Sequence, residues 1–247
     1  IPLRVYTADN VLIGEFGQER RDFVAIKDTP ELMKNALLSI EDARFYTHSG
    51  VDFIGLVRAL VSDLTGGVKQ GASTITMQVA RNFFLTQERT LSRKLKEAVL
   101  TYRIEKALTK DQILELYMNQ IYLGQRSYGF SSAARTYFGK SLPELSIAEA
   151  AMLAGVPQNP VRRNPAVNPE RAKQRQLLVL KSMLRLGNIT QAQFDQASTE
   201  PLHINTGPMV PVHAAYVAEM VRQNIVSEYQ DAAYTMGLKV YTTIQDA

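Results

Sequence analysis

Glu41-Asp42-Ala43-Arg44-Phe45-Tyr46-Thr47-His48-Ser49-Gly50 closes an amphipathic helix with a Gly-terminated turn that carries two adjacent carboxylates, two aromatics and a histidine. Upstream, Leu32, Met33, Ala36, Leu37, Ile40 and Ala43 recur at helical spacing, which predicts a buried stripe leading to Glu41 and sets it at the edge of the core. Partial desolvation at such an edge favours the protonated form of a carboxylate and suits it to take up a proton. Taken alone, the ten residues favour a helix-end pair facing water, with His48 as a polar cap. The surrounding chain decides between these.

Before this helix, Asp28 or Thr29 is placed to cap it, with Pro30 in the first turn and Glu31 positioned for a capping box from Asp28. Earlier still, Leu3–Thr7 and Val11–Phe16 flank Ala8-Asp9-Asn10 as a short hairpin, expected to be a peripheral attachment. After Asp52 a second helix is predicted with Phe53, Leu56, Val57, Leu60, Val61 and Leu64 on one face, ending at Gly66-Gly67. Gly71-Ala72-Ser73-Thr74-Ile75-Thr76-Met77-Gln78 then runs from a Gly loop into hydroxyl residues that cap a new helix. Its free N–H groups and hydroxyls suit an anion or a sugar, and equally a routine Ser N-cap. Arg81, Asn82 and the apolar Phe83-Phe84-Leu85 follow, a pairing typical of membrane-surface contact.

From Arg81 to Lys110 eight Lys/Arg stand against three Glu, so this segment carries +5 while the whole chain carries +4. That concentration points to an anionic partner (nucleic acid, a phosphorylated small molecule or an acidic membrane) or to a solvated helix face. The helix from Leu91 to Leu108 presents Leu91, Leu95, Ala98 and Tyr102 on one side and Leu100 and Ile104 on another, so it is expected to be central. Counting back from Ile104 places Glu97 and Arg93 on the second face, as an i, i+4 ion pair or a functional pair. Further on, Thr109–Gln112 and Ser146–Glu149 are capping boxes, Gly139 is a helix stop, Pro157 to Pro169 is irregular, and helices cover Pro169–Leu186, Thr190–Ala197 and His213–Tyr229. Leu238–Ile244 alternates like a strand. With 45% hydrophobic and 21% charged residues, 247 residues support a sizeable core, mainly α with strands only at the ends.

The absence of cysteine excludes disulfides and thiolate metal sites, and the scattered His48, His203 and His213 argue against a zinc centre. No apolar run is long enough to cross a bilayer, and the chain opens on Ile1, as expected of a piece of a longer protein.

Several stretches together resemble the glycosyltransferase family 51 domain of class A penicillin-binding proteins, the peptidoglycan polymerases. The matches are Glu41-Asp42-x-x-Phe45-x-x-His48-x-Gly50, Gly71-x-Ser73-Thr74-Ile75-Thr76-x-Gln78, Arg93-Lys94-x-x-Glu97, and Ile113-Leu114-Glu115 through Tyr117, Asn119, Gly124, Gly129, Ala133-Ala134 and Tyr137-Phe138. The resemblance covers most of the chain, from about Leu3 to Ile244, and Met77 departs from the family's usual glutamine. The resemblance implies a lysozyme-like helical fold with a smaller membrane-facing lobe around Phe83-Phe84-Leu85. It also implies a hairpin segment over 1–27, a catalytic domain over 28–230, and over 231–247 the start of a linker to a transpeptidase domain.

The implied partners are lipid II, the growing glycan strand and a membrane surface, with no nucleic acid, at the periplasmic side of a bacterial cytoplasmic membrane. Glu41 is the implied general base. Arg81, Arg89, Arg93 and Lys94 are the implied cations for a pyrophosphate leaving group, and Glu97 orients them or holds a divalent ion, Mg or Mn. Asp42, Phe45, His48, Gly71, Ser73, Thr74, Gln78 and Asn82 are implied to shape the cleft, with His48 also open to a purely structural role, and no organic cofactor is implied. Relatives carry a Ser-x-x-Lys transpeptidase nucleophile, which this chain lacks, so it is expected to polymerise glycan without being acylated by penicillin. Two alternatives remain: a lysozyme-type hydrolase, and a noncatalytic membrane-surface module.

Overall fold

The computed structural model describes residues 3–16, 20–52, 73–84, 91–205, 215–234 and 236–244. The predicted helix at Phe53–Leu64, Gly71, and the Leu85–Arg89 stretch lie outside the described residues. Among those described, nine α-helices and a three-stranded sheet make a mainly α protein, as expected. The chain divides into two units, residues 21–205 and a unit formed by 1–20 with 206–247. In the second unit, β1 (Leu3–Tyr6) pairs antiparallel with β2 (Leu12–Phe16) across a turn at Asn10, where φ is 67°. β1 also pairs in parallel with β3 (Lys239–Tyr241). The predicted hairpin therefore supplies two strands of a three-stranded sheet completed by the far end of the chain. Helix α9 (Ala215–Tyr229) belongs to the same unit, and Val5, Ile13 and Ala218 form its small core.

In the larger unit, α1 (Glu31–Glu41) buries Met33, Ala36, Leu37 and Ser39. The stripe stops short of Ala43, which is exposed, because Asp42 turns to φ −160° and ends the helix one residue after Glu41. At its other end the predicted Asp28 capping box does not form. Residues Ile26–Asp28 make a 3₁₀ turn, Pro30 takes the N-cap position, and the Thr29 hydroxyl donates backward to the Ala25 carbonyl. By contrast, the boxes at Thr109 and Ser146 form as predicted, on α4 (Lys110–Gln120) and α6 (Ile147–Ala154). Gly139 ends α5 (Phe130–Phe138) in the left-handed conformation.

The centre of this unit is α6, whose residues Ala148 to Ala154 are all buried, as befits a helix apolar but for Glu149, which pairs with Lys140. Its alanines let α1 and α7 (Pro169–Arg185) approach closely, and α8 (Gln191–Thr199) also packs there. The expected central helix, α3 (Leu91–Ala107), is instead one-sided. It buries Glu97, Thr101 and Ile104 against α2 (Ile75–Phe84) and α4, while Leu95 is 69% and Tyr102 60% exposed. The polar groups on its inner face are satisfied, Thr101 by its own helix at the Glu97 carbonyl and Glu97 by Arg81, so this mixed face buries in preference to the apolar one.

Two polar ties lock the last turn of α1 onto α7 and the turn that follows it. The Ser182 hydroxyl donates to the Ser39 carbonyl at 2.8 Å, and the Asn188 amide donates to the Ser39 hydroxyl at 2.9 Å. They fix the direction in which Glu41, two residues on, leaves the helix.

Candidate active site

Glu41 is the last residue of α1, and its side chain is only 8% exposed. Gln78 of α2 donates its amide to one carboxylate oxygen at 2.9 Å, and Arg175 of α7 approaches the other at 3.4 Å. Behind Gln78, the Tyr117 hydroxyl of α4 donates to the Gln78 amide oxygen at 3.0 Å, so a phenol–amide–carboxylate relay runs from the core to the surface. Burial, reinforced by the charge of Glu41, pushes the Tyr117 phenol well above its ordinary value, so it stays a donor. Burial lowers the Arg175 guanidinium from its usual range, and the Glu41 charge opposes that shift.

These groups open on a cavity of about 230 Å³ lined by Glu41, Ser73, Gln78, Arg81, Asn82 and Arg175, with Ile40, Pro157 and Gln158 completing it. Arg81 spans its α2 side, donating from Nη2 to Glu97 Oε1 at 2.9 Å, from Nε to Glu97 Oε2 at 3.4 Å, and from Nη2 to the Ser73 hydroxyl at 3.1 Å. The described partner of Glu97 is thus Arg81 from the neighbouring helix. Arg93 stands one turn before Glu97 on α3, and its side chain lies outside the described residues, as do Gly71 and Arg89. Both Glu97 oxygens accept from one guanidinium, and among the described residues no group of three or more His, Cys, Asp or Glu is placed to hold a metal ion.

The other predicted residues form the frame behind the cavity. Gly50 donates its N–H to His48 Nδ1 at 3.1 Å, so the ring proton sits on Nε2 and is donated to Asp42 at 2.8 Å. Asp42 also accepts the Ile75 N–H at 3.0 Å, and the Thr74 hydroxyl donates to the Gly50 carbonyl at 2.6 Å. One buried carboxylate therefore clamps the turn after Glu41 to the start of α2. Gly50 has φ +91°, and a Cβ there would meet Thr101 Cγ2 at 2.8 Å, so both conformation and space require glycine. Phe45 is buried in the core with Lys110 Nζ 4.5 Å above its ring, and Lys94 is exposed on α3.

Asp42→Ala removes this clamp and strands the buried His48 donor and the Ile75 N–H. A loss of about 3 kcal/mol is expected, since breaking a buried charge-assisted network costs that much. Thermal melting of the variant measures it, and an unchanged melting temperature would show that the clamp does not hold the turn.

Arg175, Gln158 and Pro157 are cavity residues that the motifs do not reveal. One signal was present: Ala172, Gln176, Val179, Leu180 and Met183 form the buried stripe of α7, and Arg175 falls at i+3 from Ala172, where a guanidinium needs an anionic partner. The partner lies 134 positions away.

Comparison with known proteins agrees with this architecture. The sequence profile of the Transglycosylase family matches residues 9–184. The chain is 53% identical to Penicillin-binding protein 1A of Neisseria flavescens over 249 aligned positions, covering 100% of this chain and 31% of that protein. It is 49% identical to Penicillin-binding protein 1A of Escherichia coli K12 over 246 positions, covering 99% of this chain and 29% of that one. A crystal structure of Penicillin-Binding Protein 1A from Haemophilus influenzae superposes with a TM-score of 0.53 at 32% identity, covering 99% of this chain and 27% of the other. The chain thus spans less than a third of the length of these relatives.

Proposed function

The chain belongs to the transglycosylase family, the glycosyltransferase family 51 domains of class A penicillin-binding proteins, and from that premise we propose that it polymerises lipid II into β-1,4-linked glycan with Glu41 as general base. The observation that carries the proposal is that one cavity is lined both by a nearly buried carboxylate, Glu41, and by a guanidinium, Arg81, locked by a second carboxylate. Glu41 takes the proton of the acceptor sugar's 4-hydroxyl, the oxygen bonds to the anomeric carbon of the lipid-linked glycan, and the bond to undecaprenyl pyrophosphate breaks with its electron pair. A pyrophosphate leaves as an anion and needs positive charge, with no protonating acid. Arg81, preset by Glu97 and Ser73, supplies that charge without reorganising.

A hydrolase of lysozyme type would need a second carboxyl free to act beside the scissile bond, whereas both oxygens of Glu97 accept from Arg81. The exposed strip of Leu95, Val99 and Tyr102 on α3, flanked by Lys94, Lys96, Arg103 and Lys106, supports docking on an anionic membrane surface, at the outer face of the cytoplasmic membrane. Among the described residues no helix is long and apolar enough to cross a membrane. Incubation with labelled lipid II and electrophoresis of the products tests the proposal. Long glycan strands are the expected result, while cleavage of preformed glycan, or no product at all, would overturn it.

A further inference from the structure

Glu41 stands at a place in the fold where an anion is poorly accommodated. The C-terminal end of a helix carries partial negative charge, and the last turn of α1 contains no basic residue. The compensating charge comes from α7, where the Arg175 side chain is 12% exposed and its Nη2 is 3.4 Å from Glu41 Oε1. The path of that side chain is shaped by Gly155, the C-cap of α6. Gly155 has an ordinary right-handed φ of −78°, so its backbone does not require glycine. Space does: a Cβ there would lie 2.8 Å from Arg175 Cγ and 3.5 Å from Arg175 Cβ. Gly155 is therefore a socket for the Arg175 stem. The Arg175 Nε is buried with no hydrogen-bond partner among the described residues, so the guanidinium is not held by a rival acceptor at that nitrogen.

We propose that Arg175, seated in the Gly155 socket, is a positioning residue that keeps the Glu41 carboxylate aimed into the cavity. The inference rests on Glu41 being the general base. Gln78 and Arg175 each take one lone pair of the carboxylate, one per oxygen, which restricts rotation of the group and leaves the remaining lone pairs for the acceptor hydroxyl. Other groups that bear on Glu41 are Tyr117 of α4, Arg163 of the segment before α7, whose guanidinium senses the Glu41 charge, and Arg81 of α2 across the cavity. Arg175 is the one hydrogen-bonded cation among them. Removing Arg175 takes away one of the two contacts that fix the carboxylate and frees the side chain to rotate.

The test compares wild type, Arg175→Met, Arg175→Lys and Gly155→Ala in the full chain, measuring kcat and KM for lipid II polymerisation together with thermal melting. Arg175→Met is expected to lose on the order of 10-fold to 10²-fold in kcat, the scale of a displaced catalytic group. Its KM is expected to stay near the wild-type value, because only the aim of the base changes. Arg175→Lys keeps a donor and is expected to recover part of the lost kcat. Gly155→Ala, which displaces the arginine stem without touching Glu41, is expected to lower kcat in the same way by less. A rise in KM with kcat unchanged would assign Arg175 to substrate affinity and overturn the proposal, as would wild-type activity or a loss matched by the unfolded fraction. If Arg175→Met melts too low to assay, Gly155→Ala decides by the same criterion. Glu41→Gln run in parallel separates the two levels: an active Glu41→Gln defeats the general-base reading, whereas an inactive one beside an unchanged kcat in the Arg175 and Gly155 variants defeats this inference alone.

Discussion

Glu41→Gln is expected to lower glycan synthesis by at least about 10²-fold while leaving the fold in place. Glutamine has the shape of glutamate without its capacity to take a proton. The hydrogen-bond relay survives the change, because the Gln78 amide can turn its oxygen toward the new amide and its nitrogen toward Tyr117, whose hydroxyl both donates and accepts. Arg175 keeps a neutral carbonyl to donate to and loses only the charge. Melting should therefore fall modestly. Lipid II affinity should hold or rise, since the substitution removes a negative charge from a cavity that presents Arg81 and Arg175 to an anion. Melting temperature, affinity and polymer yield are to be measured on one preparation. A variant that melts far lower yet polymerises normally per folded molecule would make Glu41 a structural residue.

Arg81→Ala is expected to cost on the order of 10²-fold in turnover, the scale of one preset charge-assisted contact in a water-poor site. Arg81 is 36% exposed, so its ion pair is partly screened, but the Glu97 carboxylate it holds is only 10% exposed and loses both described donors. Some loss of stability is thus built into the single variant, and the double variant Arg81→Ala/Glu97→Gln removes it by neutralising the stranded carboxylate. The double variant should melt near wild type and remain inactive. If it instead recovers polymerisation, Arg81 serves to neutralise Glu97 and is not the leaving-group cation. Arg81→Lys should fall between, since an ammonium keeps the charge but cannot bridge both oxygens of Glu97 and the Ser73 hydroxyl in one planar fork.

What could be read from the chain alone was whatever a few neighbouring residues settle among themselves. The capping boxes at Thr109 and Ser146, the left-handed stop at Gly139, and the arrival of Glu41 at a helix end depend on hydrogen bonds and side-chain spacing within one or two turns. The five predicted cavity residues Glu41, Ser73, Gln78, Arg81 and Asn82 come from two such local motifs, and the helix–loop geometry of each brings its own members together. Asp28 shows the limit of local spacing: its box was well placed, but the Ile26–Asp28 turn and the Pro30 N-cap took the backbone elsewhere.

Tertiary packing alone decided which helix faces inward and which charge meets which. The more apolar side of α3 remains outside, because the polar side had Arg81 to satisfy Glu97 and a helix carbonyl to satisfy Thr101. Arg175 reaches Glu41 because α1 and α7 both pack on α6 and Gly155 leaves room for its stem. Likewise β3 reaches β1 from the far end of the chain. A hydrophobic stripe specifies that a face is buried without specifying its neighbour, and an ion pair between residues 134 positions apart follows from helix packing, which no local periodicity encodes.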